Sequence, residues 1–141
     1  MSLENYITKL FRDKEKNGYK TIYIMVDVHN TILRSRYDKV EIFECFNMAK
    51  ETLQLLSQQN DIKLILWTSS YPDKAQMYVD FFKTNGIIFD FINENPEYRN
   101  LEYACFDSKP YYDIGIDDKF GFDAETDWEI LYNIFQKIFG R

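Results

Sequence analysis

The segment Asp27-Val28-His29-Asn30-Thr31 places a carboxylate directly after the apolar run Ile22-Tyr23-Ile24-Met25-Val26. Such a run predicts a buried strand. The end of a strand in an open α/β sheet is where these folds place reactive groups, because backbone pairing stops there and side chains enter a crevice. Asp27 is therefore the first candidate for a reactive group.

Three further polar groups follow or precede the later apolar runs: Thr68 with Ser69, then Lys109, then Asp117 with Asp118. Each has an ordinary explanation alone, because most exposed polar residues do no chemistry. Their combination is informative, because phosphoryl transfer needs carboxylates, a hydroxyl and an ammonium group in one place.

The chemistry that these groups share is the attack of a carboxylate on a phosphate. Like charges repel in that reaction, and a divalent cation held by carboxylates removes the repulsion. Asp27, Asp117 and Asp118 offer only oxygen ligands, which predicts Mg²⁺ as the cofactor. Thr68 and Lys109 are expected to donate to the transferring group, and attack by Asp27 would give an aspartyl-phosphate that water hydrolyses.

Apolar strands alternate with amphipathic helices around these groups. Strands are predicted at residues 22–27, 62–67, 87–92 and 112–116, and helices at 41–59, 71–84 and 126–139. The last helix begins with a predicted capping box of Thr126 and Glu129. Alternation of this kind implies a mostly parallel sheet with helices on both faces. We therefore predict a single Rossmann-like α/β domain over residues 1–141, with a central sheet flanked by helices.

The composition narrows the classes of partner. A formal charge of −6 repels polyanions, which argues against binding of nucleic acids or anionic membranes. No run approaches the roughly 18 apolar residues of a membrane span, and the first residues lack the apolar core of a signal peptide. The sequence predicts a soluble, cytoplasmic protein.

The order and spacing of the four groups resemble those of the haloacid dehalogenase superfamily of phosphatases, over about residues 19–128. Asp27-Val28-His29-Asn30-Thr31 is similar to that family's first motif, and Leu66-Trp67-Thr68-Ser69 to its second. Lys109 is similar to the third motif and Ile116-Asp117-Asp118 to the fourth.

The resemblance assigns roles to these residues. It implies that Asp27 is the nucleophile of a Mg²⁺-dependent phosphohydrolase. The implied metal ligands are Asp27, the main-chain carbonyl of His29, and Asp118 or Asp117. The implied phosphate-binding residues are Thr68, Ser69 and Lys109.

One position departs from the family pattern. The family's phosphatases usually carry a second Asp two residues after the nucleophile, as general acid and base, and this chain carries His29, its only histidine. An imidazole with an ordinary pKa of ~6.5 performs acid and base chemistry near neutrality, which makes His29 the candidate here. The alternative is that His29 packs in its loop and that the chain is a catalytically degenerate binding or interaction protein of the same fold.

The spacing between motifs leaves no room for an inserted cap domain. An open site of this kind suits a phosphate presented on a larger molecule, or a lid borrowed from a neighbouring subunit in a homo-oligomer. A phosphoacceptor signalling domain of the receiver type uses similar residues on a similar sheet. Its acidic pair comes first in the chain, whereas Asp117 and Asp118 come last here, which disfavours that reading.

Overall fold

The computed structural model describes residues 2–35 and 43–140 and contains a four-stranded parallel sheet flanked by helices. The strands are β1 (Ile22–Asp27), β2 (Ile62–Trp67), β3 (Phe91–Ile92) and β4 (Ile114–Ile116), in the spatial order β3-β2-β1-β4. The helices are α1 (Leu3–Lys16), α2 (Ala49–Ser57), α3 (Pro72–Thr84) and α4 (Asp127–Phe139), and a short 3₁₀ helix spans Asp118–Phe120. This architecture confirms the predicted α/β class.

The register of the sheet brings the ends of three strands to one edge. β1 pairs with β2 along its whole length, from Ile22 opposite Ile62 to Asp27 opposite Trp67. On its other side β1 pairs with β4, and Val26 lies opposite Ile116. The residues that follow these strands therefore meet at the carboxyl edge.

The direction of the chain determines what covers each face. The chain moves across the sheet from β1 to β2 to β3 and then crosses back to β4, on the other side of β1. Because such connections between parallel strands are right-handed, α2 and α3 cover one face of the sheet and the segment 93–113 covers the other. Buried residues from all four helices form one apolar core with Ile24 and Val26 of β1. This core holds the helices together on a single face.

The opposite face is covered by aromatic side chains instead of the predicted second helical layer. Tyr23, Met25 and Ile65 form a smaller apolar cluster, against which Tyr98 and Tyr111 pack. The rings of Tyr98 and Tyr111 are stacked with centroids 4.2 Å apart. The segment 93–113 thus covers its face through side-chain packing, without a regular helix.

Two predicted elements are much shorter in the structure for local reasons, and the strand predicted at 112–116 is reduced to Ile114–Ile116. The predicted helix 41–59 begins only at Ala49, because Met48 has a left-handed φ of 66° and Phe46 donates its backbone N–H to the carbonyl of Ile32. Residues 41 and 42 lie outside the described ranges. The predicted strand 87–92 pairs only at Phe91–Ile92, because the Asp90 carboxylate accepts the N–H of Leu64 in place of a strand carbonyl.

The two ends of the fold also differ from expectation. Helix α1 has no counterpart among the predicted elements; Ser2 caps it, since its hydroxyl accepts from the N–H of Asn5, and the helix buries Ile7 in the core. The predicted capping box before α4 is absent, since the Thr126 hydroxyl donates to the Asp127 carboxylate and makes no cap hydrogen bond. None of the helices in the described ranges is long and apolar enough to cross a bilayer.

Candidate active site

Three carboxylates meet at the carboxyl edge of the sheet. Asp27 ends β1, while Asp117 and Asp118 follow β4, the strand beside it. Each carboxylate places one oxygen within 4.8 Å of an oxygen of the other two. The strand order reverses between β1 and β4, and such a switch point is where open α/β sheets bind ligands. We call these three residues the acidic cluster.

Thr31 connects the members of the acidic cluster. Its hydroxyl lies 3.0 Å from Asp27 Oδ2 and 3.2 Å from Asp118 Oδ1, and it accepts the backbone N–H of Asp118 at 3.1 Å. The residue is completely buried, and its carbonyl accepts the indole N–H of Trp128 at 2.8 Å. Thr31 thereby links the turn after β1 to the turn after β4 and to α4.

The pKa of Asp27 is raised by its surroundings in the cluster. Burial raises the pKa of its carboxyl group from 3.8 to about 6, and the negative charges of Asp117 and Asp118 add to that increase, while the hydrogen bond from Thr31 opposes it. A carboxylate with this pKa gains from a bound cation, because the cation offsets both the burial and the repulsion.

Asp117 and Asp118 play different structural parts. Asp117 is buried, and its Oδ1 accepts the backbone N–H of Lys119 at 2.9 Å, which caps the short 3₁₀ helix. Asp118 is half-buried and shares the hydroxyl of Thr31 with Asp27. The structure brings both residues into the cluster, as the adjacent pair in the sequence predicts.

His29 lies on the exposed side of the turn after β1. Its Nε2 is 2.9 Å from the hydroxyl of Tyr78 in α3, and the two rings meet edge to face. This contact fixes the orientation of the imidazole and leaves Nδ1 as the second ring nitrogen. The structure therefore holds His29 next to the cluster through its backbone and ties its ring to α3.

Thr68 is held in place by the side chain of Asn93, which is not among the site residues predicted from the sequence. Asn93 accepts the backbone N–H of Thr68 at 2.8 Å and donates its amide to the Thr68 carbonyl at 2.7 Å. The buried Thr68 hydroxyl is bonded to Ser70, whereas the neighbouring Ser69 is exposed. Because Trp67 lies opposite Asp27, Thr68 and Ser69 begin the loop beside the acidic cluster.

Asn93 has a left-handed φ of 56°, a conformation that asparagine tolerates better than most residues. An asparagine directly after a short apolar strand is the sequence signal for such a turn. Its two hydrogen bonds continue the pairing of β2 beyond the last residue of β3.

Lys109 is not brought to the acidic cluster. It is exposed and lines a pocket with Tyr6, Tyr112 and Asp113, at the amino end of β4. Asp113 donates its N–H to the carbonyl of Tyr23, which lies four residues before Asp27 on β1. Lys109 therefore lies toward the other edge of the sheet, because the segment 93–113 has returned to the start of β4 when it reaches this residue.

Comparisons with known proteins support the fold and leave the chemistry open. No protein-family model matches the chain, and no curated protein matches it. A solved structure described as that of a conserved protein coded by locus from Bacteroides thetaiotaomicron is similar, with 29% identity and a TM-score of 0.63. The match covers 83% of this chain and 91% of that protein, whose description names no activity.

Proposed function

We propose that this protein is a Mg²⁺-dependent phosphohydrolase of the haloacid dehalogenase type, without a cap domain, that acts on a phosphomonoester. The observation that carries the proposal is the acidic cluster, with three carboxylate oxygens within 4.8 Å at the switch point of the sheet. An Asp at the end of β1 followed by an acidic pair after β4 is the arrangement that the sequence resemblance implies.

The residues of the site fit a hard divalent cation. The donors are all oxygens, which suits Mg²⁺, and the cation would be held by Asp27, Asp117 or Asp118 and the main-chain carbonyl of His29. When bound, Mg²⁺ supplies positive charge that lets a carboxylate approach a phosphate. Among the described residues, no cationic side chain contributes to the pKa of Asp27, which burial and the neighbouring carboxylates raise.

In the proposed mechanism Asp27 is the nucleophile, and one of its carboxylate oxygens bonds to phosphorus as the ester oxygen departs. Thr31 holds Asp27 in position through the 3.0 Å hydrogen bond to Oδ2. Thr68 and Ser69 lie at the end of the adjacent strand, where hydroxyl and backbone N–H groups would donate to the phosphoryl oxygens. His29 would give a proton to the leaving oxygen and later accept one from the attacking water.

The second candidate is a binding protein of the same fold that does not turn over its ligand. Two observations favour it: the His29 ring is bonded to Tyr78, and Lys109 lies away from the acidic cluster. In that case the site would hold Mg²⁺ and an anion, and no covalent bond would form on Asp27.

Hydrolysis of p-nitrophenyl phosphate tests the proposal. We would measure turnover with Mg²⁺ and with a chelator, in the wild type, in Asp27→Asn and in Glu102→Gln. Glu102 is exposed and lies on the segment 93–113, so its variant matches the change in charge without touching the cluster.

The phosphohydrolase predicts Mg²⁺-dependent turnover that falls by at least about 10³-fold in Asp27→Asn and is unchanged in Glu102→Gln. It also predicts that wild-type protein quenched in acid retains phosphate that hydroxylamine releases. If the wild type binds Mg²⁺ but hydrolyses none of the aryl and alkyl phosphates tested, the binding protein becomes the better description.

A further inference from the structure

A cavity of about 410 Å³ adjoins the acidic cluster. Asp118 belongs to both, and the other lining residues come from the turns after β1 and β4 and from the approach to α2: Asn30, Phe46, Gly121, Phe122, Asp123, Ala124 and Glu125. Because Asp118 belongs to both, this open cavity is within reach of a group bonded to a phosphate at the cluster. Its lining is therefore the candidate surface for contact with the leaving group of the proposed reaction.

Arg34 lies at the edge of this cavity through contacts with two of its lining residues. Its Nη1 and Nη2 donate to the two carboxylate oxygens of Glu125 at 2.6 Å and 3.2 Å. Its guanidinium lies 4.3 Å from the ring centroid of Phe46, and Nε is 3.5 Å from Glu44. The aromatic ring and two carboxylates thus hold one planar cation in a fixed orientation.

The charged groups around the cavity differ in sign and in the hydrogen-bond partners that they already have. None of the described residues that line it is a cation, and Arg34, which contacts two of them, brings a positive charge to this place. The carboxylates already have donors: Asp123 accepts the N–H of Glu125, and Asp118 lies against the Thr31 hydroxyl. The paired Nη1 and Nη2 donors of Arg34 already bind Glu125, so a ligand carboxylate that uses the same two donors must displace Glu125.

We propose that Arg34 recognises a carboxylate on the leaving group of the substrate, which makes the substrate a phosphorylated hydroxy acid. The inference rests on the proposed function and names its substrate class. The guanidinium already binds a carboxylate in the two-pronged geometry that arginine prefers, and a ligand carboxylate would use the same geometry. Glu125 competes with the ligand for Arg34 and lowers its affinity.

Loss of the Arg34 charge and loss of the Glu125 charge should therefore have opposite effects on ligand binding. This difference distinguishes ligand recognition by Arg34 from a purely structural ion pair between Arg34 and Glu125. Removal of the Arg34 charge weakens binding of a ligand that carries a carboxylate. Removal of the Glu125 charge releases the guanidinium and strengthens that binding. If the pair only braces the two turns, both changes disturb the cavity and both weaken binding.

The experiment compares two non-hydrolysable probes by titration calorimetry at saturating Mg²⁺. Phosphonoacetate carries a phosphonate and a carboxylate, whereas methylphosphonate carries the phosphonate alone. The variants are Arg34→Gln, Glu125→Gln and Arg34→Lys, with Arg12→Gln as the control. Arg12 is exposed on α1 and pairs with Asp13, away from the cavity.

We expect phosphonoacetate to bind about tenfold more weakly to Arg34→Gln and about threefold more tightly to Glu125→Gln. Methylphosphonate should change by less than about twofold in both, and Arg34→Lys should fall between wild type and Arg34→Gln for phosphonoacetate, because it keeps the charge and loses the planar fork. Arg12→Gln should match the wild type. Melting temperatures verify that each variant is folded.

Weaker binding of phosphonoacetate to Glu125→Gln would overturn the proposal, as would equal losses for both probes in Arg34→Gln or no preference for phosphonoacetate in the wild type. These outcomes are independent of turnover. A protein that shows the expected pattern but hydrolyses nothing refutes the phosphohydrolase and keeps the carboxylate site. Turnover without any effect at Arg34 refutes only the carboxylate site.

Discussion

Replacement of Asp27 by Asn should stabilise the metal-free protein while it abolishes the stabilisation by Mg²⁺. The three carboxylates of the acidic cluster lie within 4.8 Å of one another, so each charged pair repels by about 3.5 kcal/mol at an effective dielectric constant of about 20. Asn keeps an oxygen that accepts from Thr31 and removes the charge. The free energy of unfolding should therefore rise.

The pKa of Asp27 gives a second, smaller value for the expected increase in the free energy of unfolding. A rise from 3.8 to about 6 corresponds to about 3 kcal/mol of lost stability once the group is ionised. Asp27 is only half-buried, so solvent screening reduces this to about 1–2 kcal/mol, and we adopt this value because the pairwise sum ignores water at the site. For a chain of this length the expected increase in melting temperature is about 3–8 °C.

The pH dependence has a definite sign. The folded-state pKa of Asp27 lies above its unfolded value, so the favourable contribution of the protonated group is fully present below about pH 4 and is lost as the pH rises through about 6. The Asn variant lacks this loss. Its advantage over the wild type should begin near pH 4, where the unfolded group ionises, be clearly smaller at pH 4.5 than at pH 7.5, and reach its full size above pH 7.

Thermal unfolding in a chelating buffer, at pH 4.5 and pH 7.5, measures this difference, and a repeat at 10 mM Mg²⁺ measures the metal effect. A site with a dissociation constant of about 1 mM would stabilise the wild type by about 1.4 kcal/mol and Asp27→Asn by much less. Glu102→Gln changes the net charge equally, from −6 to −5, and should show neither effect. The reasoning would be refuted if metal-free Asp27→Asn were less stable than the wild type at pH 7.5. It would also be refuted if the difference in stability between the two proteins did not change with pH.

Three other changes test the connections around the site, each by urea unfolding. Thr31→Val keeps the shape but leaves a backbone N–H without its acceptor, and should cost about 1–3 kcal/mol, most of which Thr31→Ser should restore. Asn93→Gly permits the left-handed φ and removes the two bonds to the main chain after β2, so it should cost about 1–2 kcal/mol. Lys14→Met breaks the nearly buried pair with Asp113 and should cost about 2–3 kcal/mol, whereas the same change at the exposed Lys9 should cost less than about 0.5 kcal/mol. A loss below 0.5 kcal/mol at any of the first three positions would contradict the contact it tests.

The acidic cluster was predictable because its members directly follow buried runs. Asp27 ends an apolar strand and Asp117 follows another, and parallel strands bring their carboxyl ends to one edge. Thr68 follows the strand between them in the chain and meets the same edge for the same reason. Periodicity along the sequence is enough to place residues of this kind.

Residues in the irregular segment were not predictable in the same way. The path of Lys109 depends on Tyr98 stacking on Tyr111 and on Asn95 donating to the Tyr111 carbonyl, and neither contact leaves a periodic pattern. The roles of Thr31 and Asn93 depend on which backbone groups they meet after folding. Such contacts join turns that are distant in the chain, so the sequence names the residues without naming their partners.

The link from the acidic cluster through Thr31 to Trp128 makes the site optically visible. The chain has two tryptophans, and both adjoin the cluster: Trp67 lies opposite Asp27 in the sheet, and the Trp128 indole donates to the carbonyl of Thr31. Indole emission depends on the local field and on the indole's hydrogen bond. A cation or anion that binds at the acidic cluster should therefore change the intrinsic fluorescence of the unlabelled protein. Occupancy of the cluster can then be followed by tryptophan emission without a label.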